Sequence, residues 1–551
     1  MWISKASADQ RAGRAGRTNA GHCYRTYSSS VYARHLDSFA LPEMLTRPLE
    51  DVVLAMKSMN IANVAGFPFP TPPDTSQLNA AVSLLANLGC IDTTNVEREG
   101  GDGVITKLGA AVSQLPIGVR YGKMLLIAAQ GNVLDYGITL VSVLSEASPF
   151  AYRNEEKDSD DDNSDDDDST DGLDDVDKHN AMKQDRQKRK ERANLWRHDG
   201  GDVLAGVIAN GAYSYAGRGA GGATENLACR KFCEENGLHP VIMQRIQKMR
   251  IHLARLAKQR LGNAKGVAAA TGKILASMPP PKKVEENLLK QAIVSGLLDN
   301  VARRCPQARL GTDGSPVPRS AYFSCRSNIT EPLFIDKKSV LFSRDPRQLP
   351  EWICYDSVVR KSTKDGSTIS TMRNVTPIDP HWLGSLSIGC KLLSVGDPLD
   401  IPVPSYDADR DNIMCSVTTK FGDEGWILPP IQISMKSALE SGTKKIQSDD
   451  VYRWFARYLF EGKVFNELKE LKDMLNDDPS IITRKKPATK ISLIISALSS
   501  KNVQSAEDLV DVWAKDDNKF LFKYLKKWVK KDNIPQAKKL WISMVRQRVA
   551  E

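Results

Sequence analysis

Several kinds of sequence feature are missing from this 551-residue chain. No window approaches the roughly 18 uninterrupted apolar residues of a membrane-spanning helix, and the first residues lack the basic-then-apolar pattern of a secretory signal. The nine cysteines are odd in number and never spaced Cys-x-x-Cys, which argues against a secreted disulfide scaffold and a zinc ribbon. We therefore expect a protein of a reducing compartment, with no membrane partner and no metal site.

The charge of the chain is unevenly distributed. Residues 155–177 hold fourteen Asp and Glu against one Lys, so the formal net charge of +9 hides a body that carries +22. A strongly basic body beside an acidic tract suggests a polyanion partner, most simply a nucleic acid, bound in a salt-dependent way. The acidic insertion at 154–178 is predicted to be disordered and the basic segment at 179–198 to be helical.

The chain is too long for a single hydrophobic core, so about three to five domains are expected. An apolar-alternating run at residues 22–27 predicts a strand. Residues 42–110 predict two amphipathic helices, the second capped by Asp74 or Thr75, and then a hairpin that ends where Thr106 caps a further helix. Two helices followed by a two-stranded wing outline a winged helix.

Helical periodicity dominates residues 111–300 and predicts a helical bundle around the acidic insertion. Between 301 and 390 the pattern changes to short strands separated by Gly, Pro and Asp turns. The predicted strands are 322–325, 340–342 and 352–359. Several short strands within about 90 residues suit a small OB-type barrel. Because residues 391–551 are mixed and then helical, the fold class is multidomain α+β.

The motif with the clearest chemical meaning is Gln-Arg-Ala-Gly-Arg-Ala-Gly-Arg at residues 10–17. Its arginines recur every three residues with only small residues between them, so Arg14 and Arg17 can approach one phosphate cluster unobstructed. Each can make a forked, charge-assisted contact with phosphate oxygens and neutralise the charge that develops during phosphoryl transfer. The alternative is a basic Arg-Gly loop that only touches RNA phosphates.

The residues on either side of this motif, Trp-Ile-Ser-Lys-Ala-Ser-Ala-Asp before it and 18–27 after it, resemble the segment around motif VI of the DEAH/RHA-box RNA helicases. The resemblance implies that residues 1–41 are the end of a second RecA-like domain. It makes Arg14 and Arg17 arginine fingers and Arg11 a scaffold residue. The residues that it places at the nucleotide are Gln10, Gly13, Arg14 and Arg17.

The resemblance covers about residues 1–390. Residues 42–110 look like the winged helix of the family, 111–300, with Phe-Cys-Glu-Glu-Asn-Gly-Leu at 232–238, like its helical ratchet (HA2) domain, and 301–390 like its OB-fold domain. The first thirty residues and the C-terminal extension at 391–551 look most like the nucleolar member that remodels the small-subunit processome and releases its guide snoRNA.

The resemblance also implies cofactors and partners for the intact protein. ATP and Mg²⁺ would drive 3′-to-5′ RNA unwinding. The implied RNA is pre-rRNA or snoRNA, and the implied protein partners belong to the small-subunit processome and include an activating partner. The implied location is the nucleolus, within the nucleus.

The chain departs from the family in the elements that hold ATP. It contains no Gly-x-x-x-x-Gly-Lys-Ser/Thr phosphate loop and no Asp-Glu-Ala-His, and Thr-Gly-Lys at 271–273 lacks the upstream glycine. Without these groups nothing in the chain cradles Mg-ATP. We expect a C-terminal part of a helicase that alone binds no ATP or Mg²⁺ stably and is inactive. Two alternatives stay open: a motor-less module that binds RNA or pre-ribosomes, and a splicing-type DEAH helicase, which the long tail disfavours.

Weaker candidates lie elsewhere. Cys229, Cys233 and His239 match no zinc spacing, and the i, i+4 cysteine pair favours helix packing. Residues of the OB-type segment that could follow an RNA backbone, although surface charge also explains them, are Arg360, Lys361 and Arg373.

The run at 519–531 interleaves aromatic residues with cations, a composition suited to stacking on bases and contacting phosphates. Lys526 and Lys527 are its candidate RNA contacts. The favoured alternative is an ordinary amphipathic helix with a buried apolar side. The residues that it would bury are Phe520, Tyr524, Leu525 and Trp528.

Overall fold

A computed structural model describes most of the chain. The described residues are 3–46, 48–93, 101–150, 195–218, 223–260, 278–304, 316–362, 368–441, 445–484, 489–515 and 519–550. They fall into two compact units, residues 1–197 with 203–297 and residues 198–202 with 298–551. The predicted acidic insertion at 154–178 lies outside the described residues, as does nearly all of the predicted basic helix at 179–198.

The first unit opens with two short helices, α1 (Lys5–Ala12) and α2 (Ser29–Arg34). Ser4 begins α1, because its hydroxyl accepts a hydrogen bond from the Ser7 amide at 3.1 Å. The predicted strand at 22–27 is wrong, since that backbone pairs with no strand in the described part of the chain. A strand needs a neighbour for its amides and carbonyls, and Tyr24 is instead 89% exposed.

The predicted helices and hairpin of the winged-helix outline are confirmed. The elements are α3 (Glu43–Thr46), α4 (Glu50–Ser58), α5 (Thr75–Asn87), β1 (Ile91–Asp92), β2 (Val104–Ile105) and α6 (Lys107–Ser113). Asp74 caps α5 by accepting from the Ser76 amide. Thr106 caps α6 by accepting from the Gly109 amide at 3.0 Å, and its hydroxyl donates to the Gly89 carbonyl at 2.8 Å. This second bond ties the end of β2 to the end of α5.

A helical bundle follows, as predicted. Its helices are α7 (Val119–Gln130), α8 (Leu134–Leu144), α9 (Asp202–Ala216), α10 (Ala223–Asn236), α11 (Pro240–Arg260) and α12 (Lys283–Gly296). Within the predicted bundle, α9 is apolar on most sides and lacks a clear stripe. A Cβ at Gly206 would lie 2.6 Å from a Val143 methyl group, so glycine lets α9 pack closely against α8.

The second unit begins with a seven-stranded sheet. Its strands are β3 (Val301–Arg304), β4 (Tyr322–Ser324), β5 (Leu333–Ile335), β6 (Trp352–Cys354), β7 (Ser357–Ser362), β8 (Thr368–Arg373) and β9 (Thr376–Pro377). The order is β7-β8-β5-β4-β3-β6-β9, and only β5 and β8 are parallel. Tyr322, Leu333, Ile353 and Met372 fill its core.

The predicted strand at 340–342 is wrong. Val340 is buried in a turn, and its amide donates at 2.6 Å to a carboxylate oxygen of Asp202. Asp202 also accepts from the Ser339 hydroxyl and the Val375 amide, both at 2.9 Å. The apolar pattern therefore reflects burial, while the backbone hydrogen bond that a strand would make goes to a side chain distant in sequence.

The rest of the second unit is a smaller sheet followed by helices, so the predicted mixed-then-helical extension is confirmed. These elements are α13 (Pro380–Leu386), β10 (Leu393–Pro398), β11 (Ser405–Asp407), β12 (Asn412–Phe421), β13 (Trp426–Ser434), α14 (Met435–Glu440), α15 (Ser448–Phe460), α16 (Leu471–Met474), α17 (Thr489–Ser500), α18 (Ala506–Lys515), α19 (Phe522–Leu525) and α20 (Ile534–Ala550). β12 pairs antiparallel with β10, β11 and β13.

An aromatic core holds the C-terminal helices together. Trp528 packs edge-on against Phe460 with ring centroids 5.6 Å apart, and Trp541 packs edge-on against Trp513 at 5.5 Å. All four side chains are buried. Large aromatic side chains contribute the most buried apolar area per residue, so we expect this cluster to contribute strongly to the stability of the region.

Asp202→Ala is expected to lower the free energy of unfolding of the second unit by about 2–3 kcal/mol, because two backbone amides and a hydroxyl lose their acceptor. Urea unfolding followed by tryptophan fluorescence measures the change. Asp199→Ala is the matched control, since the Asp199 side chain is exposed. Equal midpoints for the two variants would contradict the proposed role of the Asp202 carboxylate.

Candidate phosphate-contacting sites

The predicted arginine motif forms an exposed turn at the end of α1. Gly13 ends the helix by donating its amide to the Asp9 carbonyl at 2.9 Å, and Arg14 continues the turn by donating to the Arg11 carbonyl at 3.2 Å. The side chains predicted at the nucleotide are all exposed. They are Gln10, Arg14 and Arg17, beside the equally exposed Gly13.

Two glycines near this turn differ in what surrounds them. At Gly21 a Cβ would lie 2.0 Å from the Ala15 carbonyl oxygen, so only glycine allows the returning chain to cross the turn. At Gly16 a Cβ would meet nothing within 4 Å. The backbone at Gly16 is therefore unobstructed on this side, and Arg14 and Arg17, which flank it in sequence, are exposed.

Three side chains that the sequence analysis did not identify hold the two ends of this segment together. Asp9 accepts from the Arg25 guanidinium at 2.6 Å and from the Tyr32 hydroxyl at 2.8 Å, and the Arg25 guanidinium lies 4.4 Å from the centroid of the Tyr32 ring. The hydrogen bond to Asp9 holds the pKa of Tyr32 above its ordinary value. The contact joins α1 to α2 across the arginine turn.

Arg11 does not take part in these contacts. Its side chain is exposed and forms no hydrogen bond or ion pair with any described residue, although its backbone carbonyl accepts from the Arg14 amide. Among the described residues Arg25 provides the side-chain support of this turn, and the scaffold role of Arg11 stays a prediction.

The cations predicted in the OB-type segment lie on the hairpin of β7 and β8 but not on one face. Strand register places Arg360 opposite Ser370, whereas Lys361 lies on the other face of the hairpin, as does Arg373, which is opposite Ser357. The structure therefore brings Lys361 and Arg373 to a common face and separates Arg360 from them.

Ion pairs occupy two of these three cations. Arg360 contacts Glu331 at 2.7 Å, and its hydrogen bonds lower the pKa of that carboxyl group. Lys361 contacts Asp336 at 2.8 Å. Arg373 is exposed and forms no ion pair with a described residue, so of the three predicted cations it is the most available to a phosphate.

The run at 519–531 has a buried apolar side, as the core interpretation predicted. Leu525 and Trp528 are fully buried, Phe520 and Tyr524 are half-buried, and the candidate contacts Lys526 and Lys527 are exposed. The regular helix is shorter than expected, since α19 spans only Phe522–Leu525.

The cysteine pair packs in the bundle, as predicted. Cys229 and Cys233 are buried on α10, and burial raises the pKa of the Cys233 thiol to about 12, which keeps it protonated. Among the described residues no group of three or more His, Cys, Asp or Glu side chains is arranged to hold a metal ion. In the same part of the chain, no helix is both long and apolar enough to cross a membrane.

Comparison with protein families gives three matches along the chain. Residues 119–205 match a helicase associated domain (HA2) described as ratchet-like. Residues 289–387 match an oligonucleotide/oligosaccharide-binding (OB) fold. Residues 467–545 match the DEAH helicase DHX37 C-terminal domain.

Curated relatives align along most of the chain. The probable ATP-dependent RNA helicase kurz of Drosophila melanogaster is 31% identical over 95% of this chain and 40% of its own length. The probable ATP-dependent RNA helicase DHX37 of Homo sapiens is 30% identical over 98% and 43%. The probable ATP-dependent RNA helicase DHR1 of Saccharomyces cerevisiae is 35% identical over 79% and 35%. The chain thus spans less than half the length of these relatives.

Proposed function

Because the chain belongs to the family of DEAH-type ATP-dependent RNA helicases, we propose that it supplies the arginine fingers and RNA-contacting domains of such an enzyme. The observation that carries the proposal is the exposed turn with Arg14 and Arg17, which the contacts of Asp9 with Arg25 and Tyr32 hold in place. These contacts support the backbone from which the two arginines project, and transition-state stabilisation requires donors that are held in place.

Arg14 and Arg17 would contact the phosphates of ATP, with Gln10 and Gly13 beside them. ATP bound with Mg²⁺ supplies the phosphoryl group. The two arginines neutralise the negative charge that develops on it, and the open space at Gly16 gives the phosphates access. Since the sequence contains no phosphate loop, the proposal places the ATP-cradling residues outside these 551 residues, and the chain alone hydrolyses no ATP.

RNA is the proposed substrate, and of the three predicted cations in the OB-type segment Arg373 is the most available to contact it. The proposed RNA is pre-rRNA or snoRNA. The proposed protein partners are processome proteins, including an activating partner, and the proposed location is the nucleolus. The match of residues 467–545 to the DHX37 C-terminal domain supports this choice over a splicing-type helicase, because it lies in the long tail that disfavours the splicing type.

RNA-stimulated ATP hydrolysis tests the proposal. The 551-residue chain alone is expected to release no phosphate above background with ATP, Mg²⁺ and single-stranded RNA. The same chain joined behind the nucleotide-binding half of the fruit-fly relative is expected to hydrolyse ATP, and to do so faster when RNA is present. Hydrolysis by the chain alone that Arg14→Ala and Arg17→Ala abolish would reveal a nucleotide site within it and overturn the proposal.

A motor-less RNA-binding module is the second candidate, and the missing phosphate loop is the observation that favours it. The same experiment separates the two functions. A joined protein that binds RNA and ATP but never hydrolyses ATP would favour the module, because the arginine turn would then have no catalytic effect.

A further inference from the structure

The last stretch of the chain carries a large unbalanced charge. Residues 519–550 contain ten Lys and Arg but a single carboxylate, Asp532. We propose that this region binds single-stranded RNA by itself, through a lysine surface that faces away from the aromatic core. The lysine surface consists of Lys523, Lys526, Lys527, Lys531, Lys538 and Lys539, all exposed.

Local backbone geometry places the first three of these lysines on the solvent side. The Leu525 amide donates to the Leu521 carbonyl at 3.0 Å and the Trp528 amide to the Leu525 carbonyl at 2.8 Å, so the run keeps helical spacing beyond α19. Leu521, Leu525 and Trp528 are at most 1% exposed and occupy the inner side. The lysines between them must therefore point outward.

The remaining lysines continue this surface on the adjoining helix. Lys531 lies in the short turn that leads into α20, and Lys538 and Lys539 lie in the first half of that helix. The Phe522 ring of α19 is 6.1 Å from the Trp541 ring of α20, so the two elements are in contact. We infer that their exposed lysines form one stretch of surface.

Several other cations of the C-terminal region contact a carboxylate, whereas these six lysines contact none among the described residues. Lys445 pairs with Asp400, Lys463 with Glu461 and Lys515 with Asp511. None of the six surface lysines forms an ion pair with a residue that the structure describes. Neighbouring like charges on a helix repel one another, and a bound polyanion removes that repulsion.

Aromatic side chains beside the lysines indicate that the bound polyanion is RNA and not an acidic protein. Phe520, Phe522 and Tyr524 are only partly buried and alternate with the lysines, and the Lys523 ammonium lies 4.9 Å from the centroid of the Tyr524 ring. Unpaired bases can stack on such rings while lysines follow the phosphates, a combination that binds single strands without sequence preference. The inference takes RNA from the proposed function but needs neither ATP nor the arginine fingers.

The test uses the 551-residue chain without nucleotide and a fluorescein-labelled twelve-residue oligouridylate, with affinity measured by fluorescence anisotropy at several KCl concentrations. The triple variant Lys523→Gln, Lys526→Gln and Lys527→Gln is expected to bind at least about tenfold more weakly. The slope of log affinity against log salt is expected to fall by about 2, since each lost phosphate contact on a single strand contributes about 0.7.

The matched control removes the same number of charges from the same region, at lysines that already have acidic partners. The control variant Lys445→Gln, Lys463→Gln and Lys515→Gln is expected to change the affinity less than about twofold. Equal loss in both triple variants, or no loss in either, would overturn the proposal. Competition gives a further test. If polyglutamate displaces the labelled RNA at the same concentration as unlabelled oligouridylate, the proposal is also overturned, because that result indicates an acidic protein partner.

Tyr524→Leu provides an independent check of base stacking, because leucine keeps the half-buried apolar contact and removes the ring. We expect a loss of affinity of about fivefold or more at an unchanged melting temperature. Unchanged affinity would restrict binding to charge and overturn the stacking part of the proposal. ATP hydrolysis by the joined protein is a separate measurement, so failure of the helicase function would leave this result intact.

Discussion

Arg14→Ala and Arg17→Ala are each expected to lower the ATP turnover of the joined protein by roughly a thousandfold, the range known for arginine fingers. The reason is that each guanidinium would stabilise charge that appears only in the transition state. RNA affinity and melting temperature are expected to stay unchanged, because both side chains are exposed. Phosphate release at saturating ATP and RNA gives the turnover number, and anisotropy gives the RNA affinity.

Arg11→Ala is the matched control, because Arg11 belongs to the same motif and is equally exposed. We expect its turnover to stay within about threefold of the unsubstituted protein. Arg14→Lys should remain strongly impaired, since lysine keeps the charge but loses the forked geometry. If the alanine variants instead lose RNA affinity and keep their turnover, the motif is a basic loop that touches RNA phosphates and not a finger.

Trp528→Ala is expected to lower the free energy of unfolding of the C-terminal region by about 3–5 kcal/mol, as large aromatic truncations in closed cores do. The indole is fully buried against Phe460, and the Lys490 ammonium lies 4.5 Å from the centroid of the ring. The Asn476 backbone amide donates to the Trp528 backbone carbonyl at 2.7 Å, a bond that the substitution keeps, so the expected loss comes from the side chain. Urea unfolding at fixed pH measures the loss.

Lys527→Ala changes the neighbouring residue and serves as the control, with an expected effect within about 0.5 kcal/mol because that side chain is exposed. The pair of variants also separates the two interpretations of the aromatic run. If Trp528→Ala left the stability unchanged and reduced RNA affinity, the indole would stack on bases and the described core would be wrong.

Elements that depend on local chemistry could be predicted from the sequence. The starts of α5 and α6 followed from Asp74 and Thr106, because the hydrogen bonds of a helix cap join residues two or three positions apart. The hairpin of β1 and β2 followed from its glycine-rich turn, and the buried side of residues 519–531 from the spacing of its apolar residues.

Features that depend on distant residues could not be predicted in this way. The apolar run at 340–342 is a turn because the Val340 amide donates its hydrogen bond to the Asp202 carboxylate, 138 residues away, and not to a neighbouring strand. The run at 22–27 has alternating residues but no neighbouring strand among the described residues. In both cases the pattern of apolar residues does not identify the hydrogen-bonding partner of the backbone. That partner decides whether a strand forms.

The candidate site shows the same division. Arg14 and Arg17 were identified because spacing and residue type carry the chemistry of a phosphate contact. The support from Asp9 was missed because its partners lie 16 and 23 residues later and meet it only when α1 and α2 pack. Likewise, the ion pair with Glu331 that occupies Arg360 appears only once β7 is placed beside β8.

The carboxylate of Asp202 also has a consequence for folding of the seven-stranded sheet. The turn at Val340 and the backbone at Val375 obtain their acceptor only when the segment that contains Asp202 is present. Asp202 accepts a hydrogen bond from the amide of Val375, which is synthesised 173 residues later. Contacts of such sequence separation slow folding. A polypeptide limited to the OB-fold match at 289–387 contains the donors but not their acceptor. Any shortened form of this sheet that is meant to fold alone should therefore carry residues 198–202, attached or added as a peptide.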